Sequence, residues 1–558
     1  MNVRSLFWLV ALVAATALAG AYLSGYLVLR LLQLDGVGLK WDTWWSYARA
    51  LHLPQVQPYA MRIQAAGWLG IGTPLLAAAG MAVLVLRSPR RSTHGDARFA
   101  SSAELARKGL FKDSGSGIVI GRHRGRLLRL NGQQFAILAA PTRSGKGVGI
   151  VIPNLLDYRD SMVVLDIKQE NFALTSGWRA AQGQQVFLFN PFAEDRRSHR
   201  WNPLGYVSGD PALRISDLQA IAATLYPDTT DEHRFWVSQA RNAFLAFALY
   251  LFDSHDQLLR EGAPPALLHP PTLGRLYRLS SGDGGDLRAY LRGLCERDFL
   301  QPQARTAFSN LLSQAEETLA SIMGTLREPL NAWINPVLDA ATSANDFHFD
   351  ELRRTPMTIY VGIQPNKLAE ARLIVNLFFS QLINVNTTRL PQTDPGLKHQ
   401  CLLLMDEFTA VGKLTILANA VAYMAGYNLR LLPIIQSMAQ LDAVYGKEVA
   451  RTLITNHALQ ILYAPREQQD ANDYSEMLGY TTTRRQNVTR GRAVSRNTVE
   501  ERRALMLPQE LKALGDTQQV FLYEGIPHPV RCDKIRYYQD RYFTRRLLPP
   551  VLVPQLSL

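Results

Sequence analysis

The chain has 558 residues, 47% of them hydrophobic, 19% charged, and a net charge of +13. That length allows more than one domain and a sizeable core, and a mean hydropathy close to zero excludes a polytopic transporter. The positive balance fits an anionic partner, either nucleic acid or the inner face of a membrane, or else a plain basic surface. The widely spaced Cys295, Cys401 and Cys532 argue against a disulfide framework or a zinc site and for a reducing compartment.

From Phe7 to Leu32 the chain is almost uncharged, broken only by Arg30, and a second apolar run covers Ile63 to Leu86. Each matches the ~20 residues needed to cross a bilayer as a helix. Trp41, Trp44, Trp45 and Tyr47 lie between them and suit a membrane interface. Arg4 before the first run, and Arg87, Arg90 and Arg91 after the second, place both ends on the cytoplasmic side. The competing reading is a cleaved signal peptide ending near Ala17-Leu18-Ala19; against it, the apolar run continues past Gly20.

Gln134–Ala139 reads as a short buried strand that runs into Ala140-Pro141-Thr142-Arg143-Ser144-Gly145-Lys146-Gly147 and then a helix opening at Val148. Strand, glycine-bearing loop, lysine and helix form a phosphate cradle, with backbone N–H groups facing the anion and Lys146 reaching its outer phosphates. Ala140 stands where a first glycine is usual, and Gly147 where Ser or Thr would offer a hydroxyl to Mg2+. Taken alone, the same residues could be a Gly-Lys turn. Val163–Asn171 follows with Asp166, Lys168 and Glu170, facing either the site, a subunit boundary or solvent.

Residues 210–343 have few β-branched runs and show apolar residues at three- and four-residue spacing, which predicts helices; strands resume at Met357–Gly362. The run Cys401–Met405 ends in Asp406 and Glu407. Asp406 can hold the shell of a Mg2+ ion, and Glu407 can orient and polarise an attacking water, unless the pair only solubilises a strand end. Leu429–Ile435 is a further apolar strand, and Gln436 at its end either senses a terminal phosphate or caps the next helix. Thr481–Val499 has no acid but carries Arg484, Arg485, Arg490, Arg492 and Arg496. It reads as a flexible loop able to follow single- or double-stranded DNA without reading sequence, or as a solvated or membrane-facing patch.

Several of these segments, in this order, resemble the TraG-like coupling proteins of type IV secretion. They are His94–Ala100, Ala140–Leu156, Val163–Asn171, Asn190-Pro191-Phe192, Trp201-Asn202-Pro203-Leu204, Met405–Phe408 and Ile434–Ser437. The resemblance implies an α/β RecA-like P-loop nucleotide-binding domain (93–209 and 344–558) interrupted by an all-α insertion (210–343) and preceded by two transmembrane helices within residues 1–92. It implies a catalytic set of Lys146, Glu407 and Gln436, ATP and Mg2+ as nucleotide and metal, and a homohexamer in the bacterial inner membrane. In that branch a glycine after the loop lysine is usual. The implied partners are the secretion channel and its ATPase subunits, with effector proteins or a relaxase–DNA complex as cargo received by the insertion. The tail past Phe543 is short, which leaves cargo selection to the insertion. A hexamer also needs an arginine from a neighbour, for which Arg372 and Arg430 are candidates. The competing functions are a membrane-tethered DNA translocase of the FtsK-like type and a receptor that binds nucleotide only to assemble.

Overall fold

The structure, a computed structural model, describes residues 3–86, 93–228, 232–490 and 494–558. Arg87, Arg90, Arg91 and Arg492, and the side chain of Arg4, lie outside the described residues. The chain divides into two units, Met1–Thr93 and His94–Leu558.

In the first unit the apolar runs fold as two long helices, Val3–Leu31 and Ala60–Leu86. At about 1.5 Å per residue, either exceeds the ~30 Å apolar thickness of a bilayer. They meet through small residues, since a β-carbon on Gly70 would collide with the Ser24 backbone, and Gly20 lies against Ile71. Trp44, on the short helix Thr43–Arg49, donates its indole N–H to the Ile63 carbonyl at 2.8 Å. Trp68, Leu69, Leu75, Leu76 and Met81 face outward. An apolar surface of that kind suits lipid better than water. The Ala17–Ala19 stretch lies within the continuous first helix.

The second unit is built on an eleven-stranded sheet. Its strands are β1 (Ile118–His123), β2 (Arg126–Leu130), β3 (Ala136–Ala139), β4 (Ser161–Asp166), β5 (Gln185–Phe189), β6 (Met357–Gly362), β7 (Cys401–Met405), β8 (Leu429–Ile435), β9 (Leu459–Leu462), β12 (Gln518–Tyr523) and β13 (Ile526–Asp533). Two further strands, β10 (Tyr480–Arg490) and β11 (Val494–Ala504), pair only with each other. The order is β2-β1-β13-β12-β9-β3-β8-β7-β4-β6-β5, parallel from β9 to β5 and antiparallel on the other flank. The central strands β3, β4, β6, β7 and β8 are buried along their whole length, as expected where both faces of a parallel sheet are covered. Their C-terminal ends share one edge, where ligands bind in sheets of this kind.

Between β5 and β6 the described residues from Pro211 to Ala341 form helices, the longest being Arg234–Arg260. Its buried Phe244 and Phe247 belong to one apolar core that continues through Trp201 and Phe378 to the sheet. Leu368–Asn386 is also long and apolar, but Phe378 and its neighbours pack on Phe189, Trp201 and Phe349, so its hydrophobicity is that of a core helix. The chain end runs back along the sheet domain, with Ser198 N–H on the Pro554 carbonyl and Leu556 N–H on the Arg196 carbonyl.

The basic stretch differs from the flexible loop expected of it. It forms the antiparallel hairpin β10–β11, paired from Tyr480 opposite Ala504 to Arg490 opposite Val494. Thr481, Thr482, Thr483, Thr498 and Val499 supply β-branched side chains that favour a strand. Near the root, Arg484 pairs with Glu500 at 2.8 Å.

Arg430 is a second departure. It sits near the N-terminal end of β8, away from the ligand edge, and is fully buried. Its guanidinium donates to the carbonyls of Ser116, Leu130 and Gln134 at 2.7–3.1 Å, so it ties the sheet together and cannot reach a neighbouring subunit. Arg430→Met should cost about 3 kcal/mol or more, because three buried carbonyls lose their donor. Exposed Arg372→Met should change stability by less than ~0.5 kcal/mol. Unfolding midpoints followed by tryptophan fluorescence compare the two; equal midpoints would contradict the assignment.

Candidate nucleotide site

β3 passes into the loop through Ala140, whose N–H donates to the Ile435 carbonyl at 2.9 Å and prolongs the ladder with β8. Ala140 does not adopt left-handed backbone, so the position does not require glycine. The turn then uses left-handed backbone at Arg143 (φ 60°) and Gly145 (φ 84°); at Gly145 this carries no steric cost. Residues Gly147–Val151 form a single π-helical turn ahead of the helix Ile152–Asp157. Pro153 lacks the N–H that an ordinary turn would use there. At Gly149 a β-carbon would run into the Tyr463 hydroxyl, whereas at Gly147 it would meet nothing within 4 Å. The absent hydroxyl at position 147 is therefore not a matter of room.

Facing the loop, β7 delivers Asp406 and Glu407. Glu407 holds φ 54°, an uncommon left-handed value for a side-chain-bearing residue, and such strain concentrates at functional sites. Its Oε1 lies 2.5 Å from Lys146 Nζ, and Asp406 Oδ1 lies 3.8 Å from the same nitrogen. Gln436, at the end of the intervening strand β8, donates Nε2–H to Glu407 Oε2 at 3.0 Å and accepts the Thr142 hydroxyl at 3.2 Å. A closed polar circuit thus runs from Lys146 to Glu407, Gln436 and Thr142, and so back to the loop. The helix after Gln436 is capped by Ser437, which accepts Gln440 N–H at 3.2 Å and leaves Gln436 to the site.

Burial opposes ionisation of both carboxyls, with different results. At Glu407 the Lys146 ion pair and the Gln436 hydrogen bond outweigh burial and hold the carboxyl below its usual range. At Asp406 burial, helped by the neighbouring Glu407 charge, prevails over Lys146 and raises it. The described residues contain no cluster of three or more His, Cys, Asp or Glu able to hold a metal by themselves. Asp406 Oδ1 and Ser144 Oγ are buried with no hydrogen-bond partner. The unpartnered Asp406 oxygen fits a hard divalent cation that takes one protein carboxylate, with phosphates and water completing its shell.

Asp166, Lys168 and Glu170 separate in the structure. Asp166 is buried at the end of β4 and accepts Phe172 N–H at 2.8 Å and the Asn171 side chain at 3.1 Å. It thereby holds the start of the helix Glu170–Ala181, and burial pushes its carboxyl up to about 7. Lys168 and Glu170 are exposed, and the Lys168 charge reaches both Asp406 and Glu407. Arg372 lies near Gly412, beyond the acidic strand end, and is exposed. Two side chains beside the loop carry no local sequence signal: Tyr463, at the end of β9, and Lys534, after β13.

A phosphate loop on β3, a strand-end glutamine on β8 and strand-end carboxylates on β7, set in a largely parallel sheet with a helical block between β5 and β6, define a RecA-like P-loop nucleotide-binding protein. The profile of the family described as type IV secretory system conjugative DNA transfer matches residues 98–557. Protein VirD4 of Rhizobium radiobacter is 30% identical over 86% of this chain and 69% of its own length. Conjugal transfer protein TraG of Escherichia coli is 27% identical over 89% and 85%. Among solved structures, plasmid coupling protein TrwB in complex with ADP and Mg2+ shares the fold, with a TM-score of 0.56 at 18% identity, covering 80% of this chain and 96% of that one. The chain belongs to the type IV secretion coupling-protein family. That membership favours the coupling protein over a translocase acting within one cell.

Proposed function

We propose that the chain is the coupling ATPase of a type IV secretion system, hydrolysing ATP to pass substrates into the secretion channel. Residues 7–32 and 63–86 anchor it as a two-pass protein of the bacterial inner membrane, with the main domains in the cytoplasm. The observation that carries the reading is the circuit Lys146–Glu407–Gln436–Thr142, which joins the phosphate loop to two neighbouring strand ends. Loop residues 140–147 cradle the phosphates, Glu407 orients the attacking water and Gln436 relays loss of the terminal phosphate. Mg2+, held by Asp406 and by the nucleotide's own oxygens, supplies charge neutralisation at those phosphates when bound. The small-residue contact between the two N-terminal helices and their outward apolar side chains support a retained membrane anchor.

The helical block 210–343 receives the cargo, effector proteins or a relaxase–DNA complex. The nucleotide-binding parts 93–209 and 344–558 assemble as a homohexamer in contact with the channel and its ATPase subunits. In such an assembly Arg372, exposed at the ligand edge, is the arginine available to a neighbour's site. Phosphate release from ATP by the purified full-length chain in lipid nanodiscs tests the reading. Turnover that requires Mg2+ is expected; nucleotide binding without turnover, with and without added DNA, would leave a receptor that uses nucleotide only to assemble.

A further inference from the structure

Lys534 follows β13 and is 390 residues from Ser144 in the chain, yet its ammonium lies against the phosphate loop. Nζ is 3.4 Å from the Ser144 carbonyl oxygen, 3.3 Å from that of Gly515 and 3.8 Å from the centre of the Tyr463 ring. Asp516, the acid whose charge reaches it, is itself paired with Arg536 at 2.6 Å. A buried cation held by carbonyls and a ring, with no carboxylate of its own, is costly to maintain. Burial accordingly draws this ammonium down to about 8.

The surroundings point to the loop as the reason for keeping it. Tyr463 leaves β9 with its N–H on the Ala139 carbonyl at 3.0 Å, and its hydroxyl is buried with no hydrogen-bond partner. β9 and β8 flank β3 on opposite sides, so Lys534 and Tyr463 approach the loop from the side away from Gln436 and Glu407. A carbonyl turned toward a phosphate repels it, whereas N–H groups attract it. A cation that fixes the Ser144 carbonyl therefore keeps the loop in its anion-binding form.

We propose that Lys534 is a positioning residue of the nucleotide site, holding the Ser144 carbonyl away from the phosphates and adding a second positive charge, after Lys146, beside them. The proposal rests on residues 140–147 being the phosphate cradle. Below about pH 8 the ammonium is charged and the loop is held; as pH rises through that value, affinity for nucleotide should fall. The other groups facing it are Asp516, Arg536 and the Tyr463 phenol, which burial keeps neutral far into alkali; the Cys532 thiol, whose charge would reach Tyr463, is pushed up to about 12.

The test is equilibrium binding of a fluorescent non-hydrolysable ATP analogue with Mg2+ to the full-length chain in nanodiscs, from about pH 6.5 to about pH 9.5. For the wild type, affinity should fall about ten-fold across pH 8, the size of a one-unit change in linkage. Lys534→Met should bind about ten-fold more weakly at neutral pH and show no such fall. Lys534→Arg, which stays charged, should bind as the wild type does at pH 7 and stay flat. Wild-type affinity and wild-type pH dependence in Lys534→Met would overturn the proposal. If the Met variant does not fold, a wild-type alkaline fall in Lys534→Arg overturns it equally. Loss of binding in Lys146→Ala alongside normal Lys534 variants sinks only the role of Lys534; a wild type that binds no nucleotide sinks the cradle as well.

Discussion

Lys146→Ala should bind ATP about 100-fold more weakly or worse, while the chain still folds and inserts in the membrane. Lys146 is the cation that meets both strand-end carboxylates, at 2.5 Å from Glu407 and 3.8 Å from Asp406. Any phosphate in the cradle must share this ammonium with Glu407 or displace it. Truncation removes the charge-assisted contact and leaves two adjacent carboxylates facing an anionic ligand, so electrostatic attraction turns into repulsion. The fold should tolerate the change, because the loop geometry is set by Gly145, the π turn and the Ala140–Ile435 bond rather than by the lysine side chain. Titration with a fluorescent ATP analogue measures the loss, and membrane fractionation reports insertion. Wild-type affinity in this variant would remove residues 140–147 from the site.

Glu407→Gln should do the opposite, binding ATP at least as well as the wild type while turnover falls by about 10²–10⁴. Glutamine preserves the shape of the side chain and can still meet Gln436, but it cannot polarise water as a carboxylate does. Its loss of charge also frees Lys146 from the 2.5 Å ion pair, which favours the phosphate. The carboxylate is suited to the role, since its hydrogen bonds keep it ionised against the cost of burial. Single-turnover phosphate release separates chemistry from binding. Unchanged release would rule out Glu407 as the water-orienting group.

The parts of this site that were legible in the sequence are those where one segment carries both structure and chemistry. β7 and β8 could be read because strands buried on both faces are continuous apolar runs, and the polar residues ending them, Asp406, Glu407 and Gln436, stand out against that background. The loop from Ala140 to Gly147 stood out in the sequence because glycine and lysine follow an apolar strand there at short spacing. What was not legible depends on the tertiary assembly. Arg430 carries a charge that suggests a surface role, and only the sheet shows that three carbonyls from other segments absorb it. Asp166 looked like one of three similar charges until the turn after β4 placed it inside and Lys168 outside. The stretch 481–499 is polar enough to pass for a loop, because its strands β10 and β11 pair only with each other and carry no run of alternating apolar residues. Lys534 gave no signal, since its partner Ser144 lies 390 residues away.

Whether ATP hydrolysis drives transfer is tested most directly by cargo transfer from cells whose only copy of the chain carries Glu407→Gln, scored against the wild type and against cells lacking the chain. Transfer is expected at the level of cells lacking the chain, although the variant is present in the membrane in normal amount and binds ATP. Transfer at the wild-type level by a variant shown not to hydrolyse ATP would contradict it.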